Sequence, residues 1–222
     1  MEKLVQAFIF DLDGVITDTA EYHFLAWQAL ANDVNITFTR EHNEELKGIS
    51  RMESLEKILL LGNREHDFTD DEKQGLAAKK NDHYLTLIKE IAPSDILPGM
   101  KEFILEIKEK GLKLGLASAS KNAITVMEAL GLKDEFDVIV DSNKIAKGKP
   151  NPEIFLTAAE LLQVDPRVCI GVEDAVAGVE AIKGASMFAV AIGPKESFKK
   201  ADLVYASTGA VSLTEILSVY AS

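Results

Sequence analysis

The sequence predicts an α/β protein: a doubly wound, mostly parallel sheet with a small all-helical domain inserted after the first strand. Two observations carry that expectation. From about Leu97 onward, helix-period segments alternate with short apolar runs rich in β-branched residues. That order feeds a parallel sheet covered on both faces. Between about Asp18 and Ile91 the alternation stops, and helix-like segments follow one another with no convincing strand between them. The simplest account places an α/β core at 1–17 and 92–222 and a helical insert at 18–91.

Taken in order, the run FIF at 8–10 reads as a central strand. The insert holds helices around EYHFLAWQALA, RMESLEKILLLG and DDEKQGLAAKKNDHYLTLIKEI. Met100, Phe103, Ile104 and Ile107 then mark a helical stripe closed by Gly111, before the strand LKLGLAS. Met127 and Leu130 end the next helix at Gly131, and FDVIV follows as a strand. Pro152 occupies a first helical position, ahead of Phe155, Ala158, Ala159 and Leu162 on one face. VCIGV, a helix ending near Gly184, and MFAVAI continue the pattern. Ser212 and Glu215 have capping-box spacing before a last helix striped by Leu213, Ile216, Leu217 and Tyr220. The core so assembled is Rossmann-like.

Composition narrows the function. The 222 residues are 47% hydrophobic and 27% charged, as in an ordinary globular protein. A formal net charge of -12 argues against a nucleic acid partner. Small phosphorylated substrates stay open, because a few local cations can dominate one pocket. The single cysteine, Cys169, excludes an intramolecular disulfide or Cys-cluster metal site, and within VCIGV it reads as a small core residue. MEKLVQAFIF turns to DLDG before a signal-peptide core forms, and no apolar run approaches the roughly 20 residues of a membrane span. The expectation is a cytoplasmic enzyme with no membrane partner. No obvious exposed apolar helix face stands out, so a monomer is expected.

Ligands of open parallel sheets bind beyond the carboxyl ends of the strands, so the residues at those ends matter most. FIF is followed by Asp11 and Asp13; LKLGLA by Ser118, Ala119 and Ser120, then Lys121 and Asn122; FDVIV by a loop with Lys147 and Lys149; VCIGV by Glu173 and Asp174. Singly, each has a plainer account. A DxD pair is common in solvated turns, serines in loops are ordinary polar residues, an acidic pair at a helix start suits the macrodipole, and a lone lysine is usually superficial. Their joint occurrence at successive strand ends points to chemistry. Four carboxyls gathered at one edge would repel unless a cation binds among them, and hard oxygen donors without a His or Cys cluster favour Mg²⁺ over zinc. A lysine and a hydroxyl suit the oxygens of a phosphoryl group. One carboxylate could serve as nucleophile and another as proton shuttle.

With those residues in place, FDLDGVITDT, LGLASAS, KGKPNP and GVEDAVAG resemble the four ordered motifs of the haloacid dehalogenase superfamily over nearly the whole chain. The resemblance implies Asp11 as phosphoryl-accepting nucleophile and Asp13 as general acid/base. It implies Ser118 and Lys149 as phosphate binders, with Glu173 and Asp174 completing a Mg²⁺ site beside Asp11 and the Asp13 carbonyl. An Asp two residues after the nucleophile fits phosphoryl transfer and fits dehalogenation poorly.

The helical insert stands where that superfamily carries a cap. ELKGISRMES places Lys47, Gly48, Arg51 and Ser54 around a turn into a helix. Lys80 falls on a stripe with Leu76, Tyr84, Leu87 and Ile91, so it either snorkels to the edge or points into a cleft. Lys47, Arg51 and Lys80 together would make a second anion site in an otherwise acidic cap. A mutase working through a bisphosphate needs two phosphate sites; a simple phosphatase needs one. DLDGVITDTAEYHF, LKGISR, AAKKND, LASASKN and KGKP resemble the sugar-phosphate mutases of the superfamily. That resemblance implies Thr19, His23, Trp27, Lys47, Gly48, Arg51, Ser54, Lys80, Ala119, Ser120 and Asn122 around the substrate. It implies a phosphomutase of carbohydrate metabolism that exchanges β-D-glucose 1-phosphate and glucose 6-phosphate. The route would use an aspartyl-phosphate, with β-glucose 1,6-bisphosphate as the phosphoryl-donating intermediate. Ala175 and Val176 after the acidic pair, and Lys144 and Lys147 before Lys149, depart from the usual pattern. The alternative is a cap-bearing sugar-phosphate phosphatase. A receiver-like regulatory module would explain neither the cap nor the second acid.

Overall fold

The computed structural model describes residues 4–46 and 49–222. Strand β1 (Ala7–Phe10) leads into helices α1 (Ala20–Asp33), α2 (Arg40–Glu44), α3 (Arg51–Leu61) and α4 (Asp70–Leu87). The chain then alternates through α5 (Met100–Glu109), β2 (Lys113–Leu116), α6 (Ala123–Ala129), β3 (Val138–Ile139), α7 (Glu153–Leu162) and β4 (Cys169–Glu173). It ends with α8 (Val176–Gly184), β5 (Phe188–Ile192), β6 (Leu203–Tyr205) and α9 (Leu213–Ala221). The strands form one parallel sheet in the order β3-β2-β1-β4-β5-β6. This is the doubly wound α/β architecture, with FIF at its centre. The strand order reverses between β1 and β4, and the crevice at such a switch point is where open α/β sheets bind ligands.

Two compact units divide the chain, residues 1–18 with 92–222 and residues 19–91. In the first, side chains alternate across β1. Phe8 and Phe10 meet Phe103 of α5 edge-to-face at 5.7 and 5.9 Å. Ala7 and Ile9 pack in the opposite cluster with Phe155, Ala158, Val179 and Ile182. Both faces are therefore covered, which is why the strands read as continuous apolar runs. Cys169 lies fully buried in that second cluster, and burial together with nearby Asp165 pushes its thiol up to about 12. Helix α5 closes as its pattern indicates, with Gly111 at φ +71°. Where the chain leaves β1 and where it returns, two segments run side by side. Leu97 N donates to Ile16 O at 2.8 Å, and the Thr17 hydroxyl donates to Asp95 O at 2.8 Å.

In the second unit, α3 and α4 each start at a capping box, Ser50 with Glu53 and Thr69 with Glu72. These reciprocal bonds satisfy backbone donors that a helix start leaves over. Phe24, Trp27, Leu30, Leu55, Ile58, Leu59 and Ala77 form its apolar core.

Several local expectations shift. FDVIV contributes only Val138–Ile139 to the sheet, since β3 is an edge strand paired on one side. Strand β6 and helix α2 escaped the pattern because each is too short to show a period. Pro152 stands immediately before α7 rather than as its first residue. The buried stripe of α4 runs through Lys73, Ala77, Lys80 and Tyr84, leaving Leu76 and Leu87 on its flank. Ser212 accepts from Glu215 N as expected, but Glu215 turns its carboxylate to the Tyr205 hydroxyl at 2.9 Å. Among the described residues no helix is long and apolar enough to cross a membrane.

Candidate active site

Sheet pairing runs one residue beyond β1. Asp11 N donates to Val172 O at 3.0 Å, and Ala117 N donates to Phe10 O at 2.7 Å. The carboxyl ends of β2, β1 and β4 are therefore in step, with Asp11 beside Glu173 and one position short of Ser118. Between the two carboxylates lies Lys149, carried on the loop before α7. Its Nζ donates to Asp11 Oδ1 at 2.5 Å and to Glu173 Oε2 at 2.7 Å, with the lysine side chain fully buried. Burial by itself would lower the Lys149 pKa; Asp11 and Glu173 outweigh it, and the net direction is upward. Glu173 is pushed up by its burial against the opposing pull of Lys149. Its other oxygen, Oε1, accepts from the backbone N of Asp174 and Ala175, both at 3.1 Å.

Carboxylate oxygens of Asp11, Glu173 and Asp174 lie within 4.8 Å of one another. When ionised, three carboxylates against one ammonium leave two negative charges, the complement of one divalent cation. The donors are all hard oxygens, with no His or Cys among them, the set that Mg²⁺ accepts. Two glycines shape this cluster. Gly14 has φ +74°, and a Cβ there would stand 2.1 Å from Asp174 Oδ2. A Cβ on Gly178 would fall 1.8 Å from Glu173 Oε2. Helix α8 can thus pass against Glu173 only with glycine at that point. Gly178→Ala is expected to displace the Glu173 carboxylate and weaken Mg²⁺ binding by about 10–100-fold, the usual range for disturbing residues that orient metal ligands. Calorimetric titration with Mg²⁺ checks this, and an unchanged affinity would refute it.

Around this centre, Asp13 is half-buried in the turn after β1, where Gly14 N donates to Thr17 O at 2.8 Å. Ser118 is buried, its Oγ accepting from Ser120 N at 3.1 Å, and Ser120 Oγ in turn accepts from Asn122 N at 3.2 Å. Ala119, Ser120 and Asn122 are half-buried on that loop. The loop of Lys149 is braced by Glu153, the first residue of α7. Its carboxylate accepts from Ala146 N at 2.7 Å and Lys147 N at 2.9 Å. Sequence reading missed Glu153 and Gly178; for Gly178 the available signal was a glycine inside a helix, five residues after Glu173.

The second unit gathers its own polar group. Lys80 is buried, resolving its ambiguity in favour of pointing inward. Its Nζ lies 2.8 Å from His23 Nδ1 and about equally far from the Trp27 and Tyr84 ring centroids, at 4.6 and 4.8 Å. His23 stacks on Tyr84 with centroids 4.2 Å apart. Burial, then the charges of Lys80 and Arg51, hold His23 well below the usual imidazole range, so the ring is neutral. Its Nδ1 accepts from the ammonium, which leaves the proton on Nε2. Arg51, the first residue of α3, is half-buried and donates to Asn81 Oδ1 at 2.7 Å. Thr19, just before α1, is fully buried, and Ser54 is buried with its hydroxyl donating to Ser50 O at 3.0 Å. Lys47 and Gly48 lie outside the described residues.

A haloacid dehalogenase-like hydrolase family model matches residues 5–186. The β-phosphoglucomutase of Bacillus subtilis is 51% identical over 209 residues, 94% of this chain and 92% of that protein. The crystal structure of β-phosphoglucomutase from Clostridium difficile is also 51% identical, with a TM-score of 0.96 covering 98% of this chain and 97% of the other. A phosphorylated carbohydrates phosphatase of Thermotoga maritima is 32% identical over 185 residues, 82% of each chain.

Proposed function

This chain belongs to the haloacid dehalogenase-like hydrolases, and from that premise we propose that it is a phosphomutase interconverting β-D-glucose 1-phosphate and glucose 6-phosphate. The observation that carries the reading is a second cationic group, Arg51 with Lys80, in a unit separate from the Asp11–Lys149–Glu173 centre. A bisphosphate needs one anion site for each phosphate. The likeness to two β-phosphoglucomutases at 51% identity supports the same reading.

Asp11, as nucleophile, carries a phosphoryl group on its carboxylate. The C6 hydroxyl oxygen of β-glucose 1-phosphate attacks the phosphorus, the Asp11–phosphorus bond breaks, and Asp13 takes the hydroxyl proton. The β-glucose 1,6-bisphosphate so formed turns around. Asp11 then attacks the phosphorus at C1, Asp13 returns its proton to the leaving C1 oxygen, and glucose 6-phosphate departs. Ser118 and Lys149 hold the transferring phosphoryl oxygens, a role suited to a hydroxyl and a buried ammonium. Asp11, Glu173, Asp174 and the Asp13 carbonyl would hold Mg²⁺, which supplies charge neutralisation at the phosphoryl oxygens. Residues 19–91 act as the specificity-determining cap, and Thr19, His23, Trp27, Lys47, Gly48, Arg51, Ser54 and Lys80 are its substrate-binding residues. Ala119, Ser120 and Asn122 are the substrate-binding residues of the core. The protein works as a monomer.

Formation of glucose 6-phosphate from the β but not the α anomer of glucose 1-phosphate, with Mg²⁺ and a trace of bisphosphate, tests the assignment. Failure to turn over the β anomer, or steady phosphate release from hexose phosphates, would overturn it in favour of a phosphatase. Arg51→Ala is expected to lower kcat/KM for β-glucose 1-phosphate by about 100-fold, the loss of a charge-assisted phosphate contact. Hydrolysis of acetyl phosphate, which presents one phosphate and no sugar, should fall far less. Equal losses for both substrates would remove Arg51 from the cap site.

A further inference from the structure

We propose that Asn81 is a positioning residue: it aims Arg51 at the phosphate that is not being transferred, and its neutrality leaves the guanidinium charge for that phosphate. The inference rests on the proposed phosphate role of Arg51 and deepens it. The geometry is a single bond across two helices, from the first residue of α3 to a side chain in the body of α4, 2.7 Å from Arg51 nitrogen to Asn81 Oδ1. The choice of partner sets this arginine apart from the other two arginines of its unit. In the same unit Arg40 meets Glu21, Arg64 meets Asp67, Lys73 meets Glu56 and Lys79 meets Asp33. Those four cations are each matched with a carboxylate. Arg51 bonds instead to an amide oxygen, which accepts the same N–H without cancelling the charge, while the Asp82 carboxylate acts on it only through space, without an ion pair.

A half-buried guanidinium already fastened to a carboxylate is a poorer phosphate receptor, because the phosphate must compete with a like charge at short range. A guanidinium with no partner would lose its aim, since its long side chain has many rotamers to order on binding. An amide avoids both problems. Asn81 also follows Lys80 directly, so one turn of α4 places an ammonium and the brace of a guanidinium together.

Asn81→Asp separates this role from a structural one. The substitution conserves shape and the acceptor oxygen, so a purely structural Asn81 predicts unchanged kinetics and equal or higher thermal stability. The positioning role predicts that stability is retained while KM for β-glucose 1-phosphate rises about tenfold or more, with kcat changed much less, as a like charge beside a bound phosphate requires. Asn81→Ala, which removes the acceptor, should raise KM by a smaller factor, and its result stands if the aspartate variant does not fold. An unchanged KM in the folded aspartate variant, or in the alanine variant if only that folds, overturns the inference. Arg51→Ala measured alongside identifies which reading fails. If Arg51→Ala leaves KM unaltered, the cap phosphate site itself is wrong. If it raises KM while the Asn81 variants do not, only the role of Asn81 is wrong.

Discussion

Asp11→Asn is expected to reduce glucose 6-phosphate formation by about 10⁴-fold or more, the scale on which removing a covalent nucleophile acts. The amide is nearly isosteric, so the backbone bond from Asp11 N to Val172 O and the sheet register should persist. On the proposed mechanism, what disappears is the anionic oxygen that accepts the phosphoryl group, because a neutral amide is a poor nucleophile. Stability should change little. Lys149 keeps its bond to Glu173 at 2.7 Å, and one of two carboxylates that repel across the buried lysine has lost its charge. The checks are a coupled glucose 6-phosphate assay, intact-mass detection of the phosphoprotein after exposure to bisphosphate, and a thermal melt. Retention of a phosphorylated species in the variant would assign the nucleophile elsewhere.

Lys149→Met is expected to strike stability as well as rate. Its ammonium is fully buried and bonded to both Asp11 and Glu173, so the methionine leaves two carboxylates confronting each other without their counter-ion. Breaking a buried pair by removing one partner costs about 3–5 kcal/mol, which for a chain of this size lowers Tm by about 10 °C. The melt should be worst in chelator and partly restored by Mg²⁺, since a cation that binds the folded state stabilises it by mass action. A Tm within a degree or two of the parent in chelator would show that the lysine is not needed to hold the carboxylates together.

Much of this site was legible as text because parallel α/β sheets obey a positional rule. The carboxyl ends of the strands share one edge, so Asp11, Ser118, Lys149 and Glu173 could be gathered without knowing any distance. The same text was silent where contact depends on how side chains fill space. Lys80 illustrates the limit: spacing alone left snorkelling and inward pointing open, and the aromatic pair Trp27 and Tyr84 around its ammonium resolved the choice. The stripe of α4 was read with Lys80 and Tyr84 in their right places but with Leu76 where Ala77 is buried. A large apolar residue outweighs a small one in a periodicity.

The sequence by itself determined the alternation of helices and strands, the interruption by a helical unit, and the residue types delivered to each strand end. Those follow from local periodicity, turn residues and chain connectivity, which are properties of neighbouring positions. Only the tertiary structure decided that Lys149 bridges Asp11 and Glu173 across 138 and 24 positions of chain. It alone revealed that Gly178 exists to admit a carboxylate, and that an arginine in an acidic unit is braced by an amide. These depend on β1 and β4 lying side by side and on two helices meeting. No local pattern encodes them, because the energy that selects them is spent between residues distant in sequence and close in space.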